Sequence, residues 1–77
     1  MDLVLINRLE KMNTEHNKII LCIESSKIEK HFEACERLIY IFVIRWCKYA
    51  DIEHDLVRLS TLQTHLFYEK KTHYGFD

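Results

Sequence analysis

Residues 28–49, IEKHFEACERLIYIFVIRWCKY, decide the fold. Within them Ile28, Phe32, Cys35, Ile39, Phe42, Trp46 and Tyr49 recur at alternating spacings of four and three, which draws one apolar seam along an α-helix. The β-branched and aromatic run Ile39–Ile44 would suit a strand in isolation, but the helical register continues on both sides of it. Just upstream, Ser26 followed three residues later by Glu29 predicts a capping box, in which each side chain satisfies an otherwise orphaned N–H. The helix is therefore expected over 27–50.

Working upstream, Leu5, Leu9, Met12, His16, Ile19 and Ile23 follow the same spacing and predict a first helix over 3–24, its seam interrupted by one polar residue, His16. Two matched helices joined by a tight turn at Ser25-Ser26 make an antiparallel hairpin. Downstream, Ile52, Leu56, Leu59, Leu62 and Leu66 form a further stripe, rotated about 130° from the seam of the second helix. Either the chain turns near Ala50–Asp51 into a third helix, or the second helix runs on and its distal half needs a partner. The reading adopted is an all-α bundle: an antiparallel hairpin with a third helix over 52–71, in one small domain spanning 1–77. Asp51 is placed to cap that third helix, with Glu53 and Asp55 in its first turn. A weaker Ser60–Gln63 box permits a break there instead. Lys70, Lys71 and His73 suit a helix end, Gly75 falls just past it, and 74–77 are expected to fray.

Composition agrees. The 77 residues are 48% hydrophobic and 30% charged, with one Gly and no Pro, which excludes a disordered tail and leaves tight hairpins without their turn residues. A chain this short has a small core of its own. Eleven Lys and Arg against twelve Asp and Glu give a net charge of −1, balanced in both halves of the chain. No basic stripe is present to displace phosphate counterions, so direct nucleic-acid binding is not expected. The longest apolar run, Leu38–Ile44, is far short of the ~20 residues that cross a bilayer. The opening Met-Asp-Leu-Val-Leu-Ile-Asn has an acid where a basic secretory n-region belongs, and Cys22, Cys35 and Cys47 are odd in number without CxxC spacing. The expectation is buried free thiols in a reducing cytoplasm.

The most informative feature is a second apolar face on the second helix. With Phe42 at the centre of the seam, Tyr40, Val43, Ile44 and Cys47 fall between about 100° and 200° away. A helix that is apolar nearly all round is usually buried on every side. Either the third segment covers this face or a second chain does. Under the second reading Tyr40, Val43, Ile44 and Cys47 are the partner-binding residues, with Tyr40 keeping its hydroxyl wet.

Chemical constellations are weaker. His31 and Cys35 at i, i+4 could share a metal, but no second spaced pair completes a zinc site, so no metal and no cofactor are expected. Asp51, Glu53, His54 and Asp55 splay around one helical turn and read as a solvated helix start. Arg58 and His65, with six residues between them, resemble the Arg–(four to six residues)–His motif of the higher-eukaryote/prokaryote nucleotide-binding ribonucleases, whose Arg and His act on the RNA phosphodiester from a four-helix domain. This chain looks too small for that fold. With a single Gly near the end there is no phosphate loop, and no nucleophile arrangement follows from spacing. No catalytic residues are assigned, and the chain is read as a non-enzyme.

Two stretches carry a further resemblance: Arg8-Leu9-Glu10 followed by Ile19-Ile20-Leu21-Cys22-Ile23, and Phe32-Glu33-Ala34-Cys35-Glu36 leading through Ile39-Tyr40-Ile41-Phe42 to Arg45. They resemble the small helical-hairpin co-chaperones of type III secretion needle subunits. The resemblance implies a hairpin that binds a tetratricopeptide-type helical partner and, with it, holds a needle subunit unpolymerised in the bacterial cytoplasm. The inter-helix loop is shorter here, and 51–77 extend beyond the matched part. A different reading is a small transcriptional or regulatory protein acting as a helical homodimer.

Overall fold

The computed structural model describes residues 3–75, which form α1 (Leu3–Ser25), α2 (Glu29–Trp46) and α3 (Glu53–His73), with a 3₁₀ turn, Ala50–Ile52, leading into α3. No strand occurs among the described residues. The fold is a small all-α bundle of extents 45 × 16 × 15 Å. α2 runs antiparallel to both of its neighbours, and α1 and α3 run parallel. From one end to the other this register brings Arg8 beside Tyr49 and Asp51, Glu15 beside Trp46, His16 beside Phe42 and Gln63, Cys22 beside Cys35, and Phe32 beside Phe67 and Tyr74.

The seams fill the core. Met12, His16, Ile19 and Ile23 of α1 are buried, with Leu5 and Leu9 partly so. On α2, Phe32, Cys35, Phe42 and Trp46 are buried and Ile39 packs against them. Each large side chain withdrawn from water contributes roughly 1.5–3 kcal/mol. Ile28, placed on the seam by spacing, is instead half exposed, because it precedes the helix in an extended conformation with φ −129° and ψ 161°.

The start of α2 differs from expectation. It begins at Glu29, not Lys27, and Ser26 and Glu29 form no capping box, since the residue at the cap is Ile28 and has no side-chain bond. Ser26 faces inward, where its hydroxyl donates to the Cys22 carbonyl at 2.7 Å. Ahead of the helix, His31 Nδ1 accepts from the Lys27 N–H at 3.3 Å and holds the connection against the first turn.

The far end also differs. α2 stops at Trp46, four residues before the expected boundary, and the chain turns through Cys47–Lys48 with the Tyr49 N–H on the Trp46 carbonyl at 3.1 Å. Neither Gly nor Pro makes this stop. Packing does: a continued helix would aim Ile52, Leu56 and Leu59 away from the core, whereas the turn buries all three. Asp51 does not cap α3; its carboxylate accepts from Arg8 at 3.2 Å, and the α3 cap position is Ile52. Glu53 and Asp55 do lie in the first turn of α3, beside its positive dipole end.

α3 is unbroken at Ser60–Gln63 and extends to His73, two residues beyond the expected end. Its buried stripe departs from the predicted one after Leu59. Gln63 and Phe67 are buried, whereas Leu62 is 51% exposed and Leu66 only partly covered. The reason is fit: Phe67 sets its edge against the Phe32 ring, centroids 5.9 Å apart, and Gln63 meets His16 across the bundle. Gly75 takes φ 77° and returns its N–H to the Thr72 carbonyl. Of the segment expected to fray, Tyr74 packs on Phe32, and 76–77 lie outside the described residues.

Candidate protein-interaction face on α2

α2 is wedged between two helices, and that position decides which of its side chains are left over. Toward α1, Arg45 and the Trp46 indole N–H both donate to the Glu15 carboxylate. Toward α3, Val43 packs against the core and borders a cleft shared with Leu56 and Val57. Side chains pointing between these directions, away from both helices, have no cover among the described residues.

Of the four residues singled out by spacing, the structure separates two from two. Tyr40 is 67% and Ile44 52% exposed, one turn apart on the outer face. Val43 is half-buried under α3, so the third helix covers that part of the second face. Cys47 lies in the turn after α2, its thiol on the Ile44 carbonyl at 3.2 Å, exposed but bordering the same cleft as Val43. α3 thus takes one edge of the face, at Val43, and leaves Tyr40 and Ile44 exposed.

Two residues that spacing assigned to no face join the open part. Leu38 is 39% and Ile41 48% exposed, and they line a shallow groove of about 260 Å³ between α1 and α2. Ile19 and Phe42 also line it, with Glu15, Lys18 and Arg45. The signal was present in the apolar run Leu38–Ile44, but only the placement of α1 tells which of those side chains it leaves uncovered. On the other side of Tyr40 stand Glu33, Glu36 and Arg37. The result is an apolar ridge and groove over two helical turns, bordered by both signs of charge.

The remaining candidates are not assembled into sites. The Arg58 guanidinium donates to Asp55 at 3.4 Å, and His65 lies 3.8 Å from Glu69, so each has a neighbour on its own helix. His31 is exposed and engaged at the α2 start, while the Cys35 thiol faces Cys22 and Ser26, so the two do not form a metal-binding pair. Asp51 and Asp55 are taken up by Arg8 and Arg58. Among the described residues no group of three His, Cys, Asp or Glu side chains could hold a metal ion, and no helix is long and apolar enough to cross a membrane.

Two buried polar clusters were not foreseen. His16 and Gln63 meet at 3.0 Å inside the bundle, and burial, with the nearby Arg58 charge, lowers the His16 pKa. At one end of α2, Cys22, Ser26 and Cys35 converge, and burial pushes the Cys35 thiol up to about 11. No protein-family profile, curated protein or solved structure matches this chain.

Proposed function

We propose that this chain is a non-enzymatic protein-binding module that docks a helical partner on the outer face of α2. The observation that carries the reading is the row Leu38, Tyr40, Ile41 and Ile44, four large apolar side chains exposed within two turns of one helix. Scattered exposed apolar residues are ordinary on a protein surface, but a contiguous row bordered by charges has the composition of an interface centre and rim. Tyr40 contributes ring area with little loss of side-chain freedom, and the groove beside Ile41 offers a place for a partner's own apolar ridge.

The finer form of the proposal is a cytoplasmic co-chaperone of a type III secretion needle subunit, bound to a tetratricopeptide-type partner. Its support is the resemblance carried by 8–23 and 32–45, which includes Tyr40 and Ile41 of the open face. In this chain the hairpin has a third helix on one side, so a partner would approach α2 from the side opposite α3.

The test is Tyr40→Glu combined with Ile44→Glu. Both side chains lie outside the core, so circular dichroism and thermal unfolding should be close to those of the parent. Light scattering over a concentration series, and capture of bound protein from the native host, are then compared for the two. Loss of self-association or of a specific bound protein supports the proposal, and a second copy as occupant appears as a dimer that the substitutions dissolve. Unchanged solution mass together with unchanged capture refutes it.

A further inference from the structure

The cluster at the junction of α1 and α2 points to chemistry independent of the docking face. Cys22 Sγ lies 3.1 Å from Cys35 Sγ, and Ser26 Oγ lies 3.2 Å from Cys35 Sγ. The two thiols sit on different helices, 13 residues apart in sequence, yet need approach each other by only about 1 Å to reach disulfide bonding distance. Their accessibilities differ: Cys35 is fully buried, whereas Cys22 is partly open to solvent. A pair with one reachable and one sheltered sulfur has the arrangement of an attacking and a resolving thiol.

We propose that Cys22 and Cys35 are a site of reversible covalent modification, in which a small disulfide such as oxidised glutathione converts them into a disulfide linking α1 to α2. The Cys22 thiolate attacks one sulfur of the glutathione disulfide. A Cys22–glutathione bond forms, the glutathione S–S bond breaks, and the departing thiolate takes up the proton that Cys22 gave up. Cys35 then attacks Cys22 Sγ, the Cys22–glutathione bond breaks, and the Cys35 proton ends on the second glutathione thiol. Two protein thiols are oxidised while one glutathione disulfide is reduced to two thiols. Ser26 Oγ stands 3.2 Å from Cys35 Sγ, and as the sulfur loses its proton the hydroxyl can turn its hydrogen from the Cys22 carbonyl to the sulfur. Because burial keeps Cys35 protonated at neutral pH, the closing step quickens as pH rises.

The linkage would tie the end of α1 to the second turn of α2 around the short connection at 26–28. Closing a loop of this length restricts the unfolded chain, and the oxidised form is expected to melt higher by roughly 10–20 °C. Cys47, exposed and with no second sulfur beside it among the described residues, serves as the internal comparison.

The experiment treats the full chain and its Cys47→Ser variant with oxidised glutathione at mildly alkaline pH. Mass spectrometry, a non-reducing peptide map and thermal unfolding follow. The expected result is a monomer lighter by two hydrogens, a peptide linking Cys22 to Cys35, and a raised Tm reversed by dithiothreitol. In Cys22→Ser the linkage and the Tm rise are both lost, and this substitution spares the fully buried Cys35. A lasting glutathione adduct on Cys22, two thiols that remain free to alkylation, or a linkage that lowers Tm would each overturn the proposal.

Discussion

Replacing His16 by Leu asks what a polar pair does inside a core this narrow. His16 is 6% exposed and Gln63 fully buried, and the Gln63 amide N–H donates to His16 Nδ1 at 3.0 Å, which puts the imidazole proton on Nε2. The Gln63 carbonyl oxygen has no hydrogen-bond partner among the described residues. In His16→Leu both ends of the Gln63 side chain are then unpaired, a desolvation cost of about 1–3 kcal/mol. For a domain of this size that is a Tm lower by roughly 5–15 °C. Gln63→Leu strands His16 Nδ1 but removes the orphaned carbonyl, so its cost is smaller. His16→Leu with Gln63→Leu removes both groups together and is expected to match or exceed the parent in stability. The assay is urea unfolding of all four proteins by circular dichroism at neutral pH, closed as a double-mutant cycle. A pH series adds a second readout. The His16 pKa is lowered in the folded chain, so the unfolded chain takes a proton first, and stability falls as pH drops below ~6.5. The loss is at most about 1.4 kcal/mol per pH unit and ends at the folded pKa. The double variant lacks this contribution. Additive single substitutions, or the same acid dependence in parent and double variant, would refute the reasoning.

Other consequences can be read more briefly. Phe32→Ala removes a ring that is 1% exposed and packed against both Phe67 and Tyr74, at a cost of about 3–5 kcal/mol, and a thermal scan should show a broad, early transition or none. Glu15→Ala frees the Trp46 indole N–H and Arg45 together; the expected result is a red-shifted tryptophan emission and a Tm lower by several degrees, with an unshifted spectrum counting against the bond. Under reducing conditions stability should also fall at alkaline pH. The Cys35 pKa is raised from 9.0 to about 11, so the unfolded thiol ionises first and stability declines across that interval, which Cys35→Ala abolishes.

The helices were legible because their apolar spacing is unambiguous where a helix meets only one neighbour. Ile28 apart, the seams of α1 and α2 and the Ile52–Leu59 half of α3 face inward where periodicity placed them. What was not legible depends on a third body. Gln63 displaced Leu62 from the buried stripe because His16 stands across from it, and a glutamine announces no such partner. The capping pattern at Ser26–Glu29 was present in the residues but lost to a competing inward bond of the same hydroxyl. The end of α2 carries no breaker, since the turn is held by Tyr49, Ile52 and the Arg8–Asp51 pair. The open face was partly legible through Tyr40 and Ile44. Leu38 and Ile41 needed the position of α1 to be recognised.

A cross-section of 16 × 15 Å leaves room for no second shell around the axis, so the buried residues stand as one file of layers, each drawn from two or three helices, along the 45 Å length. Midway along that file both α1 and α3 contribute polar groups, His16 and Gln63, with Phe42 as the bridging ring. The interior is thereby divided into two half-cores that meet at a polar waist. Met12, Trp46, Ile52, Leu56 and Leu59 lie to one side, and Ile19, Ile23, Phe32, Cys35 and Phe67 to the other. Fraying that starts at either end meets the waist before it reaches the far half, and the expected outcome is two opening units, read as separate protection levels on either side of the waist in native-state hydrogen exchange. The thiol pair belongs to one unit and the Arg8–Asp51 clasp to the other, so a covalent bond at one end would lock half of the molecule and leave the other half free to breathe.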